Sequence, residues 1–267
     1  MSRFVRLSLL LVACAAPVVA RAQQPGTGAP MPLAVDLAKV TVGSEANYVT
    51  SLGQWPPMNV RLALVNRTGS AATLEMSAQG GMMSMAGGKV VVDTVFTSEG
   101  KAETVIQKLI MQIGANDPME MPSELSKVSQ FKKPDPKTLV GAETVKVKAG
   151  SFKAKHYRDK TPAGDRIDYW VSEGAPPLGL VKMQAETKKA AEAQGTPAPG
   201  MADSVTMELV GLGKDAKPEI TKVPKPFDAG KFRQQMMSGA GGPAPAPPSG
   251  PAPATPPAAP ADKDKKK

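Results

Sequence analysis

The sequence predicts a mainly β protein: a single antiparallel meander of about nine or ten strands forming a half-barrel or barrel, followed by a disordered Pro/Ala-rich C-terminal tail. Three observations predict it. Apolar and polar residues alternate with period two through short runs. Turn-forming residues separate those runs at hairpin spacing, and no clear long stretch repeats with the period of a helix.

The runs come in order. EANYVTSL (45–52) and NVRLALVN (59–66) alternate, and the cluster Asn66, Arg67, Thr68, Gly69 turns the chain into AATLEMSA (71–78). KVVVDTVFTS (89–98) follows, then a turn at 98–101 and AETVIQKLIMQI (102–113). That last run is ambiguous: its β-branched residues and turn spacing favour a strand, yet Val105, Leu109, Ile110 and Ile113 could line a helix. Four prolines make 114–139 a long loop, with one helical turn expected at 123–127. ETVKVKA (143–149) and FKAKHYR (152–158) flank Gly150 as a hairpin. RIDYWVS follows a turn at 161–165, LGLVKMQAET follows Pro176 and Pro177, and DSVTMELVGLG (203–213) closes the pattern after an insert at 188–200.

Both ends read as non-globular. Arg3, Arg6, the apolar LSLLLVACAAPVVA and a small-x-small site at Ala20-Arg21-Ala22 make residues 1–22 a signal peptide. The apolar part is short and broken by Pro17, and no later run is long enough to span a bilayer, so the mature chain is expected to be periplasmic or secreted with no transmembrane segment. A competing reading is a lipobox, Leu11-Val12-Ala13-Cys14, in which Cys14 is acylated and the protein becomes an outer-membrane lipoprotein. Residues 23–34 read as a flexible lead-in, 35–230 as the β-rich globular domain, and 238–267, with its prolines and DKDKKK ending, as a tail that cannot bury enough apolar surface to order.

Composition narrows the chemistry. Cys14 is the one cysteine and His156 the one histidine, which leaves no disulfide, thiolate nucleophile or His/Cys zinc site in a mature domain. His156 has no nucleophile-elbow motif to work with and reads as structural or incidental. The net charge of +9 is spread among many acids and lies partly in the leader and tail, and aromatics are few, so nucleic acid is not the expected partner. Lys146, Lys148, Lys153 and Lys155 alternate with Val145, Val147, Phe152 and Ala154, a two-faced hairpin whose basic face could contact an anionic surface. Fifteen methionines include Met82, Met83 and Met85 in GGMMSMAGG, a thioether cluster suited to Cu(I) as well as to packing. The glycines around it read as a mobile flap rather than a phosphate loop. A curled sheet with an apolar concave face, softened by Met76, Met83, Met111, Met183 and Met207, could hold a hydrophobic or lipid-like ligand, or could be an ordinary packed core.

The stretch Gly141, Glu143–Val145, Val147, Ala149-Gly150, Phe152, Ala154, Tyr157, then Tyr169-Trp170-Val171 and 176–182 (PPLGLVK), resembles a pattern of uncharacterised secreted bacterial β-rich proteins. It is distantly similar to envelope proteins with the open β-barrel of lipoprotein carriers, where a concave sheet holds acyl chains. The resemblance implies a non-enzymatic envelope protein; no cofactor is expected, and the expected partner is a lipid-like or hydrophobic ligand or another envelope protein. The alternatives are a structural or interaction module with a spacer tail, and a methionine-based copper binder.

Overall fold

The strands pair as two meanders joined at the centre of one sheet. In a computed structural model that describes residues 31–53, 55–86, 88–97, 105–122, 131–160, 166–186 and 204–239, the strands are β1 (Met31–Pro32), β2 (Glu45–Leu52), β3 (Met58–Thr68), β4 (Ala71–Gly80), β5 (Lys89–Thr97), β6 (Val105–Ile113), β7 (Met119–Glu120), β8 (Phe131–Lys132), β9 (Leu139–Val147), β10 (Gly150–Lys160), β11 (Arg166–Val171), β12 (Leu180–Glu186), β13 (Ser204–Gly213) and β14 (Lys225–Pro226). One helix, α1 (Ala229–Gly239), ends the described chain. Twelve strands form a sheet in the order β14-β7-β6-β5-β4-β3-β2-β13-β12-β11-β10-β9, and β1 pairs with β8 outside it. Every pairing in the large sheet is antiparallel except β14 with β7.

The predicted class holds, with two refinements. The sheet is open rather than a closed barrel, with β9 and β14 at its ends. The meander is two runs, β2 to β7 and β9 to β13, and the pairing of β13 with β2 fuses them. The ambiguous run is strand β6: its β-branched Val105, Ile106, Ile110 and Ile113 suit a pleated surface, and it pairs along β5 from Val90↔Ile113 to Thr97↔Val105.

Period-two patterning sorts the side chains onto two faces. The inner face carries Tyr48, Leu62, Leu74, Phe96, Tyr169, Met183, Met207 and Leu209 in one buried cluster, and Val92, Leu109, Met111 and Ile113 in another. This face is filled by the chain's own covering segments. Met31, Leu33, Leu37 and Val40 lie over its middle with Phe131, Ala175 and Leu178, and Phe227 and Phe232 close the β5–β6 end. Arg67 holds the first cover in place by donating from Nη2 to the carbonyls of Leu37 and Val40, the latter at 2.6 Å. Tyr48 donates its hydroxyl to the Leu180 carbonyl at 2.9 Å. A buried phenol with such an acceptor has no reason to ionise, and burial raises its pKa.

Three expectations change. The core reaches back to Met31 and Leu33, residues that composition placed in the flexible lead-in, because β1 finds a partner in β8 a hundred residues on. The segment Gly81–Ala86 is not a mobile flap but a 3-10 helix between β4 and β5, with Met83 buried in the core. Helix α1 lies inside a region read as the end of the domain and the start of the tail. The expected helical turn at 123–127, the turns at 98–101 and 161–165, the insert at 188–200, and the leader and most of the tail fall outside the described residues.

Candidate functional site

Strands β10 and β11 set the site. Lys155 pairs with Val171 and Tyr157 with Tyr169, so Lys153, Lys155 and Tyr157 share the side of the sheet that carries the core. Moving along β10 toward its start, that side changes from apolar to basic. Tyr157 and Val171 are buried, and the Tyr157 and Tyr169 rings stack at 5.5 Å. Lys155 and Lys153 then stand exposed beyond the last core contact.

Opposite them runs the segment after β1. Leu33 donates to the Lys132 carbonyl and Ala34 to the Leu178 carbonyl, both at 2.9 Å. Gly179 makes this approach possible: its φ is +83°, and a Cβ there would lie 3.1 Å from the Ala34 Cβ and 3.1 Å from Val35 Cγ1. The result is a cleft of about 600 Å³ whose lining includes the apolar Leu33, Val35, Tyr157 and Val171 and the basic Lys133, Lys153 and Lys155. Asp36 and Glu173 also border it. Asp36 is already engaged, accepting from the Ala38 amide at 3.1 Å and facing Lys39 at 3.6 Å. Among the described residues the three cleft lysines make no ion pair within 4.0 Å. The cleft thus combines apolar lining with three lysines outside any ion pair and two carboxylates, Asp36 and Glu173.

The candidate lysines therefore divide. Lys153 and Lys155 line the cleft, joined by Lys133, which no sequence pattern pointed to. Lys146, opposite Ser151, shares their face further out, and Lys148 sits in the hairpin turn; both are exposed. Of the copper candidates, Met83 is buried in the core, and the side chains of Met82 and Met85 lie outside the described residues, as does Cys14. Among the described residues no three His, Cys, Asp or Glu side chains converge as a metal-ligand set.

His156 lies on the other face, the Phe152 and Ala154 side of its strand, in a charged cluster that sequence reasoning missed. Its Nε2 meets Asp168 Oδ1 at 2.7 Å, and the same aspartate takes Arg158 Nε at 2.8 Å and Arg166 Nε at 2.8 Å. Its ring stacks on Trp170 at 4.4 Å, and Trp170 Nε1 donates to Glu143 at 2.6 Å. Burial works to raise the Asp168 pKa, but hydrogen bonds from His156 and Arg158 and the charges of both arginines outweigh it and hold it below the usual carboxylate range. The hydrogen-bonded set holds no hydroxyl or thiol. What it does is clamp β9, β10 and β11 together. The one signal that could have found it is the pairing of His156 with Trp170 and Arg158 with Asp168 across a hairpin, which requires the register.

No described protein family matches the chain, and no curated protein does. Solved structures similar in part include a hypothetical protein from Chlamydia trachomatis, 12% identical, covering 70% of this chain and 94% of that one with a TM-score of 0.42. A protein of YmcC-like fold from Bacteroides fragilis, provisionally described as exported, is 14% identical over 69% of this chain and 98% of that one, TM-score 0.31. A protein from Parabacteroides distasonis, provisionally described as a lipoprotein, is 11% identical over 70% and 98%, TM-score 0.29. Likeness at this level carries no functional argument. No helix among the described residues is long and apolar enough to cross a membrane.

Proposed function

We propose that this chain is a non-catalytic extracytoplasmic protein that holds a lipid-like anion, apolar tail inward, in the cleft between β10 and the segment after β1. The observation that carries the reading is the conversion of one strand side from core to cation within four residues, from Tyr157 to Lys153, against a wall that adds Lys133. The extracytoplasmic placement rests on the leader pattern of residues 1–22. The middle of the inner face is closed by the chain itself, so the ligand sits at the end of the sheet and not across it.

The test is calorimetric titration with monomeric lysophosphatidylglycerol, using lysophosphatidylcholine of equal chain length as control. The expected result is binding of the anionic lipid, weakened at least about tenfold by Lys153→Glu with Lys155→Glu, and weaker binding of the zwitterion. No binding of either lipid, or equal binding of both, overturns the reading. Recovery of the lipid as hydrolysed products by mass spectrometry would overturn the non-catalytic part.

A further inference from the structure

The outer face of the β2–β5 half buries a second charged network, and it is built around a strap. After β13 the chain crosses this face at 214–220, reaches the sheet edge as β14 beside β7, and returns as α1 on the inner face, where Phe227 and Phe232 cover Val92, Leu109, Met111, Ile113 and Met121. Where it crosses, the strap is held by one carboxylate. Glu75 of β4, with no exposed surface, accepts the backbone amides of Glu219 at 2.6 Å and Ile220 at 3.3 Å through Oε2. Its Oε1 meets Arg61 Nη1 at 2.6 Å, and Arg61 also donates to the Lys217 carbonyl at 3.2 Å.

Directly across from Glu75 on β5 stands Asp93, another buried carboxyl. Asp93 Oδ1 has no hydrogen-bond partner, so the network as folded does not supply what an ionised carboxylate needs. Every element around it is accounted for. β2 brings Glu45, paired with Arg61 of β3 at 2.7 Å; β4 brings Glu75; the strap brings Glu219, which meets Arg61 Nη1 at 3.3 Å and Lys89 of β5; β6 brings the uncharged Ile110 opposite Asp93 and, on the same face, Lys108, paired at 2.6 Å with Glu120 of β7 beside Ile110. The three cations, Arg61, Lys89 and Lys108, are paired with Glu45, Glu75, Glu219 and Glu120, and among the described residues none makes an ion pair with Asp93.

We propose that Asp93 is a proton-operated lock on the C-terminal strap. Protonated, it donates to Glu75 and leaves that carboxylate free to hold the Glu219 and Ile220 amides. When the proton leaves to solvent, two buried carboxylates face each other, and the cheapest relief is for the strap to lift and let water in. Because the same strap carries Phe227 and Phe232, its release uncovers the apolar β5–β6 end of the inner face. Burial first, and then the charges of Glu75 and Glu219, push Asp93 up to about 7, which puts the change within reach of ordinary extracellular conditions.

Hydrogen exchange on the full chain tests this, with rates corrected for the intrinsic pH dependence of amide exchange. Protection of the Glu219 and Ile220 amides is expected to fall on the order of tenfold between pH 5.5 and pH 8, while amides of the β11–β12 ladder stay unchanged. In Asp93→Asn, which keeps a hydrogen-bond donor and cannot ionise, protection is expected to be high and flat with pH. Flat protection in the wild type, or an unchanged pH response in D93N, overturns the proposal. Should D93N fail to fold, the carboxyl carbon of Asp93 in the wild type is titrated by NMR: a midpoint near neutrality supports the lock, and a midpoint below about 5 overturns it.

Discussion

Two aspartates on the same face of one sheet, both nearly excluded from solvent, are driven in opposite directions. Asp168, in the β9–β13 half, is 4% exposed, and Asp93, in the β2–β7 half, is 6% exposed. Burial alone would raise both. Asp168 meets Arg158, Arg166 and His156, whose hydrogen bonds and charges outweigh desolvation and hold it low. Asp93 meets Glu75 and Glu219, which add to desolvation. Depth of burial therefore does not decide the charge state; the identity of the cross-strand neighbour does. The half with arginines opposite its acid is locked at any pH above the acid range, and the half with an acid opposite its acid is locked only when a proton is present.

The contrast can be broken most severely at Arg61. Arg61→Ala strands the fully buried Glu75 beside Asp93, and chemical denaturation at pH 7 is expected to show a loss of about 3–5 kcal/mol. A loss below about 1 kcal/mol would mean that Glu75 does not depend on that guanidinium. Asp93→Asn moves the other way. An acid whose native pKa is raised makes the wild type most stable below its unfolded value, near 4, and costs stability as pH climbs to about 7. The variant is thus expected to gain on the order of 3 kcal/mol at pH 8 and nothing below pH about 4. Asp168→Asn should show the reverse sign, because a lowered native pKa contributes stability that is present above the unfolded value and lost as pH falls through the native one. At pH 7 it is expected to cost about 1–3 kcal/mol, a difference that closes in acid. Parallel pH curves for the two asparagine variants would refute the distinction between the halves. The smallest effect is expected from Trp170→Phe, which removes one donor to the exposed Glu143 and costs at most about 1 kcal/mol while leaving the pH response of Asp168 intact.

The strands were legible in the sequence because burial on one face imposes a period of two, and that period survives in NVRLALVN and RIDYWVS without any knowledge of neighbours. The 141–160 hairpin was legible in its turn and in the separation of its lysines from Val145, Val147, Phe152 and Ala154, but not in the fact that the lysine side runs into the core at Tyr157. What period two cannot show is which strand lies beside which. Glu75 and Asp93 sit one on each of two strands and gain meaning only as a pair, and Asp168 acquires His156 and Arg158 only through register. The cleft needed a third ingredient, the contact of Ala34 and Val35 with Gly179, between segments more than a hundred residues apart. Helix α1 was missed because AGKFRQQMMSG is short, begins with Ala-Gly soon after Pro226 and is held by Phe232, with Phe227 just before it, reaching a distant cluster, not by a strong helical period of its own.

The junction of β2 with β13 has a kinetic consequence. Every other pairing between long strands joins strands consecutive in the sequence, but Tyr48↔Leu209 joins residues at opposite ends of the domain. Loop-closure entropy must be met before that contact returns anything, so the two meanders are expected to assemble first and the seam to zip last. Until it does, β2 and β13 are naked edges in the middle of the future sheet, apolar on one side and ready to pair with another molecule. Crowded, unfinished chains are where this protein should aggregate, and the seam, not the exposed β9 rim with Lys146, is the place to guard.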